Sequence, residues 1–149
     1  MPAFSKTNVV RSPFGKNVYM RSTQDLKFES YTLAAATVTA ELIDTNSQKL
    51  AQSGELIAKV TSGASIGAVG PFQASVADGR QTIANAVGFL ETFCPWELNE
   101  RDMEVSVCYE GTLVQAWCFE RNAAGARIPL TNTTRDALLA LPQCRFIFK

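Results

Sequence analysis

The chain contains no histidine. That removes the commonest general base and the commonest metal ligand. Serine–histidine and cysteine–histidine nucleophile pairs are excluded with it. The four cysteines, Cys94, Cys108, Cys118 and Cys144, show no C-x-x-C spacing, which is poor for a zinc site. No run of about 18 apolar residues occurs, so no membrane span is expected. The opening MPAFSKTNVV lacks the apolar centre of a secretion signal. The protein is expected to be made and kept in a cytoplasm, where a disulfide framework is not expected. Cys108, Cys118 and Cys144 sit inside apolar runs and read as buried thiols acting as small hydrophobes. A basic excess is also missing. The 14 basic and 14 acidic residues balance, which argues against nucleic acid as the main partner.

What is present is enough for one domain. A chain of 149 residues is long enough to bury about 70% of the surface its unfolded form exposes. Residues 1–27 form a distinct leader that mixes Ser, Thr, Asn and basic residues with spaced apolar ones. The apolar ones are Phe4, Val9, Val10, Phe14, Val18, Tyr19 and Met20. Pro2 and Pro13 argue against a helix there. This is the composition of an arm that orders on something else; a leader packed back on its own domain is the other reading. Charge is distributed unevenly. Lys6, Arg11, Lys16, Arg21 and Lys27 in the leader face only Asp25, whereas Glu91 to Glu120 is acidic. These are either two solvated surfaces or a basic arm that reaches an acidic patch on a partner or a second copy.

Residues 28–149 read as a single β-rich domain. Val38, Ala40 and Leu42 alternate with Thr37, Thr39 and Glu41, a half-buried strand pattern. A second strand runs from Glu55 to Thr61, with Leu56, Ala58 and Val60 on one face and Lys59 turned to solvent. A Gly-rich loop follows, with a short extended piece near Ala68-Val69; it lacks the Gly-Lys-Ser/Thr ending of a phosphate loop. Asp78-Gly79 signals a turn. Thr82–Leu90 reads as a short helix giving way to a strand at Ala86–Leu90. Met103–Glu120 is expected to form a β-hairpin that turns at Glu110-Gly111 and returns through Leu113–Phe119. Thr131 or Asn132 caps a short helix that Pro142 stops, and Phe146 and Phe148 share one face of a closing strand.

Little of this is chemistry. Glu97, Glu100, Asp102 and Glu104 read as a solvated loop, since a glycosidase-like pair needs two carboxylates facing a cleft roughly 5–9 Å apart. In the loop Phe93-Cys94-Pro95-Trp96, Trp96 either plugs a core edge or stands out as an interface anchor. No enzymatic activity, cofactor or metal is expected.

In order, the segment Gly-Glu-Leu-Ile-Ala-Lys-Val-Thr at Gly54–Thr61, the Asp78-Gly79-Arg80 turn and the Ala-Val-Gly-Phe-Leu strand Ala86–Leu90 form a pattern. So do the Tyr109-Glu110-Gly111 turn and the helix and strand of Thr134–Lys149. Together they resemble the lambda-like phage head decoration, or capsid cement, proteins. The resemblance covers about two-thirds of the chain, from near Phe28 onward. It implies a mainly β fold with a short helix (α+β), a small β-barrel or β-tulip-like domain with an extended N-terminal arm. It further implies a homotrimer on the exterior of an icosahedral virion, made in the host cytoplasm. The partner would be a major capsid protein of the HK97-like fold, with neither nucleic acid nor membrane engaged directly. In that family the arm adds a strand to a capsid element. Here that makes Val9-Val10 and Val18-Tyr19-Met20 the candidate strand residues. A tail-tube or head-fibre subunit, or a small β-barrel binding module, are the other readings. The long leader and the bulky Cys94–Asp102 loop depart from the family's short members.

Overall fold

The computed structural model describes residues 19–20, 26–43, 45–94 and 96–149, excluding the side chains of Ile43 and Trp96. The strands are β1 (Lys27–Leu33), β2 (Glu41–Ile43), β3 (Asn46–Gln48), β4 (Leu56–Lys59), β5 (Val69–Pro71), β6 (Ala86–Leu90), β7 (Met103–Leu113), β8 (Phe119–Arg121) and β9 (Arg127–Pro129). The helix α1 (Asn132–Leu139) and the closing strand β10 (Arg145–Phe148) follow. The fold is mainly β, and none of its described helices is long and apolar enough to cross a membrane.

Six strands form one sheet in the order β1-β5-β4-β6-β7-β10, and β7 also pairs with β1. The pairings therefore run from β1 around to β7 and back to β1. β7 is the spine. Along one edge it pairs antiparallel with β1, from Leu33↔Met103 to Lys27↔Glu110. Its other edge takes β6 at Cys108 and Val107, then β10 in parallel from Glu110 to Leu113. The pairs β2–β3 and β8–β9 form small separate ribbons.

Side chains leave the main sheet on both faces, because each face carries a core. One core gathers Leu56, Ala58, Ala86, Phe89, Cys108, Leu113 and Phe146 with Leu138 of α1. The other gathers Leu33, Ile57, Val69, Val87, Leu90, Val105 and Val107. Alternation along β4 explains the split: Leu56 and Ala58 face one way and Ile57 the other. On β6 the alternation is shifted by a bulge. Ala58 pairs with Ala86 and Ile57 with Gly88, which leaves Val87 as the extra residue. That extra residue puts Val87 and Leu90 in one core and Ala86 and Phe89 in the other.

Several expectations hold. The 3-10 turn Ile83–Asn85 gives way to β6, and Lys59 is exposed. Thr131 caps α1, its hydroxyl oxygen accepting from the Thr134 N–H at 3.3 Å. Phe146 and Phe148 both face Phe89, with ring centroids 5.2 and 6.0 Å away.

The hairpin does not hold. β7 continues through Glu110-Gly111, with Tyr109 as an extra residue against β1, and the chain beyond it forms a 3-10 turn, Gln115–Trp117, before β8. The local turn signal yields to pairing on both edges of β7, by β1 on one side and β10 on the other. The Thr37–Leu42 alternation is likewise interrupted. A 3-10 turn, Ala35–Thr37, precedes β2, and Leu42 is 77% exposed.

Candidate interaction surface

Of the leader residues expected to contact a partner, Phe4, Val9, Val10, Phe14 and Val18 lie outside the described residues. Tyr19 and Met20 are described, and they correct the expectation. Tyr19 is fully buried. Its ring lies 6.3 Å from that of Phe89, its hydroxyl donates to the Phe89 carbonyl at 3.3 Å, and its own carbonyl accepts from the Val114 N–H at 2.7 Å. Burial drives the phenol far above its ordinary range, with nearby Cys108, Cys118 and Glu91 adding to the effect. Met20 bridges Leu113 and packs partly buried on the same core. Neither side chain is held out for a partner. The apolar ring of Tyr19 and its hydroxyl are both satisfied inside. Residues ahead of Phe28 therefore belong to the packed domain, at least at Tyr19 and Met20.

Trp96 opens the 3-10 turn Trp96–Asn99, and its side chain lies outside what the structure describes. The next residues on this loop are wired into the fold. Asp102 accepts from the Ala35 N–H at 2.8 Å, and Glu104 accepts from the Thr32 hydroxyl at 3.0 Å. They do not converge as an acid pair in any of the cavities described.

An open groove of about 960 Å³ lies over the outer face of the β7–β10 pair. Glu110, Thr112, Arg145 and Ile147 form its floor, and Leu139–Pro142 at the end of α1 form a wall. Register explains the floor: Arg145 pairs with Glu110 and Ile147 with Thr112, on the face opposite Phe146 and Phe148. Leu139 and Ile147 are each about half exposed. Lys27 meets Glu110 at 2.8 Å, and Arg145 approaches it at 4.0 Å. The hydrogen bond from Lys27 lowers the Glu110 pKa, and the same bond raises that of Lys27. Exposed Leu139 and Ile147 beside paired opposite charges suit protein contact. The groove's lining includes the thiol of Cys144, which is buried.

The thiols are inert by the same logic. All four are free and buried. Burial pushes Cys94 and Cys118 up to about 12 and Cys108 and Cys144 up to about 11. They stay protonated at neutral pH and are poor nucleophiles. Among the described residues no group of three or more metal-ligating side chains comes together.

Sequence reasoning missed the buried charges. Glu55 and Arg121 form an ion pair with both side chains fully buried. Arg80 turns inward from the Asp78-Gly79-Arg80 turn. Its Nη1 donates to the carbonyls of Thr37 at 3.1 Å and Pro71 at 2.9 Å, while Asp78 holds its Nε. The available signal was a charge set within an apolar stretch, as Glu55 is before Leu56-Ile57-Ala58.

Set against known proteins, the chain matches no family model, no curated protein and no solved structure.

Proposed function

We propose that the chain is a virion structural protein that binds the outside of an icosahedral phage capsid. There it cements neighbouring capsomers and stabilises the head against the pressure of packed DNA. The observation that carries this reading is the root of the leader. Tyr19 is bolted to Phe89 and Val114 at the centre of the sheet. A pull on residues 1–18 is therefore transmitted to the core rather than to a loose loop. Those residues combine Lys6, Arg11 and Lys16 with Val9, Val10, Phe14 and Val18, a composition suited to adding a strand to a partner.

The inert interior supports the same role. Protonated, buried thiols suit a mechanical part better than a catalyst. The ring of pairings through β1, β5, β4, β6 and β7 supports the finer reading of a small barrel of the β-tulip kind. The proposed partner is a major capsid protein of the HK97-like fold, and the proposed state a homotrimer on the capsid exterior. Ordering an arm of ~20 residues costs about 1–2 kcal/mol per residue. One arm alone binds weakly. Three arms on one trimer raise the local concentration of the second and third contacts, so the assembly holds without a strong single one.

Light scattering tests the proposal, on the purified protein and on its mixture with expanded, undecorated capsids. A trimer, or a monomer that saturates capsids at threefold stoichiometry, supports cement. A hexameric ring points to a tail tube, and a stable monomer that ignores capsids points to a small binding module.

A further inference from the structure

Away from the groove, a second recess opens where the ring of pairings splays. β1 touches β5 only at Leu33↔Val69, so its first half, from Lys27 to Tyr31, parts from the β4–β5 pair. The gap is a recess of about 550 Å³. Glu29 and Tyr31 of β1 line it with Tyr109 of β7, Lys59 at the end of β4, Asn85 and Gln143. Ala84, Ala86 and Val87 supply apolar wall.

The polar side chains here are held in place. The Tyr31 hydroxyl donates to Glu29 Oε2 at 2.8 Å. Asn85 Nδ2 donates to the Gly79 carbonyl at 2.8 Å, and Gln143 Nε2 donates to the Ala84 carbonyl at 2.9 Å. These bonds fix each amide by its nitrogen. Among the described residues no hydrogen bond takes up Oδ1 of Asn85 or Oε1 of Gln143, and no ion pair engages Lys59. The recess therefore offers acceptors in two amide oxygens and the Glu29 carboxylate. It offers donors in the Lys59 ammonium and the Tyr109 hydroxyl.

Its charge adds to zero, one cation against one anion. An anionic ligand would meet Glu29 and a cationic one Lys59, so neither sign is favoured. A neutral ligand that both donates and accepts matches the lining. Two phenol rings beside small apolar walls add a second requirement: the ligand needs an apolar face as well as hydroxyls. A sugar ring has both, with C–H groups on a face and hydroxyls around the edge. A volume of this size also fits one or two such rings.

We propose that this recess binds a neutral saccharide unit, with Tyr31 and Tyr109 against its C–H face and Lys59, Glu29, Asn85 and Gln143 on its hydroxyls. The site is independent of the capsid reading, since none of its residues belongs to the leader or the groove.

The test is a titration of the ¹⁵N-labelled full chain with D-glucose, D-galactose and N-acetyl-D-glucosamine, each to about 50 mM, followed by amide NMR. Expected is a saturable shift with at least one sugar, confined to Asn85, Gln143 and their neighbours, with a dissociation constant on the order of 1 mM. Tyr109→Ala is expected to weaken that binding at least about fivefold, and Lys59→Met to weaken it by a similar factor. Should Tyr109→Ala not fold, Tyr109→Leu keeps apolar bulk and removes the aromatic face, and a measurable weakening there gives the same answer. The absence of any saturable shift overturns the proposal. So does binding left unchanged by both Lys59→Met and the Tyr109 variant that folds, or tighter binding of D-glucuronate or glycine than of every neutral sugar.

Discussion

Glu55 and Arg121, 66 residues apart in the chain, form an ion pair with no solvent exposure on either side chain. Arg121 also approaches Glu41 at 3.6 Å, and its remaining bonds go to backbone. Its Nη2 donates to the Leu50 carbonyl at 2.8 Å, and its Nη1 donates to those of Gly125 at 3.0 Å and Thr39 at 3.2 Å. Glu55 Oε2 accepts from the Gln52 N–H at 2.9 Å, and Arg127 approaches it at 3.7 Å while pairing with Glu41. One guanidinium thus ties the start of β4 to β8, to the chain before β2 and to the chain after β3.

Breaking that pair from one side leaves a buried charge without its main partner. Arg121→Met is expected to cost about 3–5 kcal/mol in urea unfolding. Glu55→Gln keeps the shape and removes the charge. Added to Arg121→Met, it should recover a substantial part of that loss, which a double-mutant cycle measures as coupling. A cost for Arg121→Met of less than about 1 kcal/mol would mean the pair does not lock the fold.

Gly88 gives a second, sharper test of the sheet. Its φ is +139°, and a Cβ there would sit 2.0 Å from the Cys108 carbonyl oxygen, a backbone atom of β7. Nothing flexible can yield, so Gly88→Ala must push β6 off β7 and disturb both cores. A loss of about 2–4 kcal/mol is expected. Gly63, with φ +87° but open space around its Cβ position, provides the control. Gly63→Ala should cost only the left-handed backbone strain, about 1–2 kcal/mol. Thermal unfolding of both variants decides it, and equal losses would mean that strain alone, without the close approach, explains Gly88.

These two predictions also mark where reading the sequence succeeds. The 3-10 turn before β6, the Thr131 cap and the Phe146–Phe148 face are written in adjacent residues, so local rules recover them. Tyr109-Glu110-Gly111 carries a local turn signal as well, and there the rule misleads. Strands far away in sequence, β1 and β10, keep β7 continuous through it. Nothing local marks Arg121 as buried, and Tyr19 reads as part of an arm, for the same reason. Their partners, Glu55 and Phe89, lie 66 and 70 residues away. The groove and the recess depend on register between distant strands, which no window of the sequence contains.

Burial of the thiols makes stability sensitive to alkali. Folding raises Cys118 and Cys94 from about 9 to about 12 and Cys108 and Cys144 to about 11. The folded state therefore holds more protons than the unfolded one above pH 9. Stability from these groups is complete below about pH 9 and falls as pH rises towards 11–12. Urea midpoints are expected to drop over that window, and Cys118→Ala should flatten the slope whatever it does to stability at pH 7. At pH 8 a thiol reagent should label native protein slowly and all four sites at once on unfolding. Fast labelling of the native state would place at least one thiol at the surface.

The proposed cement role requires the residues ahead of Tyr19 to be separable from the domain, and two deletions test that. Deleting residues 2–18 removes Val9, Val10, Phe14 and Val18 and leaves Tyr19 in place. Stability is expected to change by less than about 1 kcal/mol, while capsid binding falls at least about tenfold. Deleting residues 2–20 goes too far, because it takes the fully buried ring out from beside Phe89. That deletion, or Tyr19→Ala in the full chain, should cost about 3–5 kcal/mol. Tyr19→Phe, which loses only the bond to the Phe89 carbonyl, should cost about 0.5–1.5 kcal/mol. Urea unfolding and capsid sedimentation on the same four variants separate the two roles. If the 2–18 deletion unfolds, those residues belong to the core. If it folds and still saturates capsids, the leader is not the arm, and the groove over β7 and β10 becomes the surface to mutate.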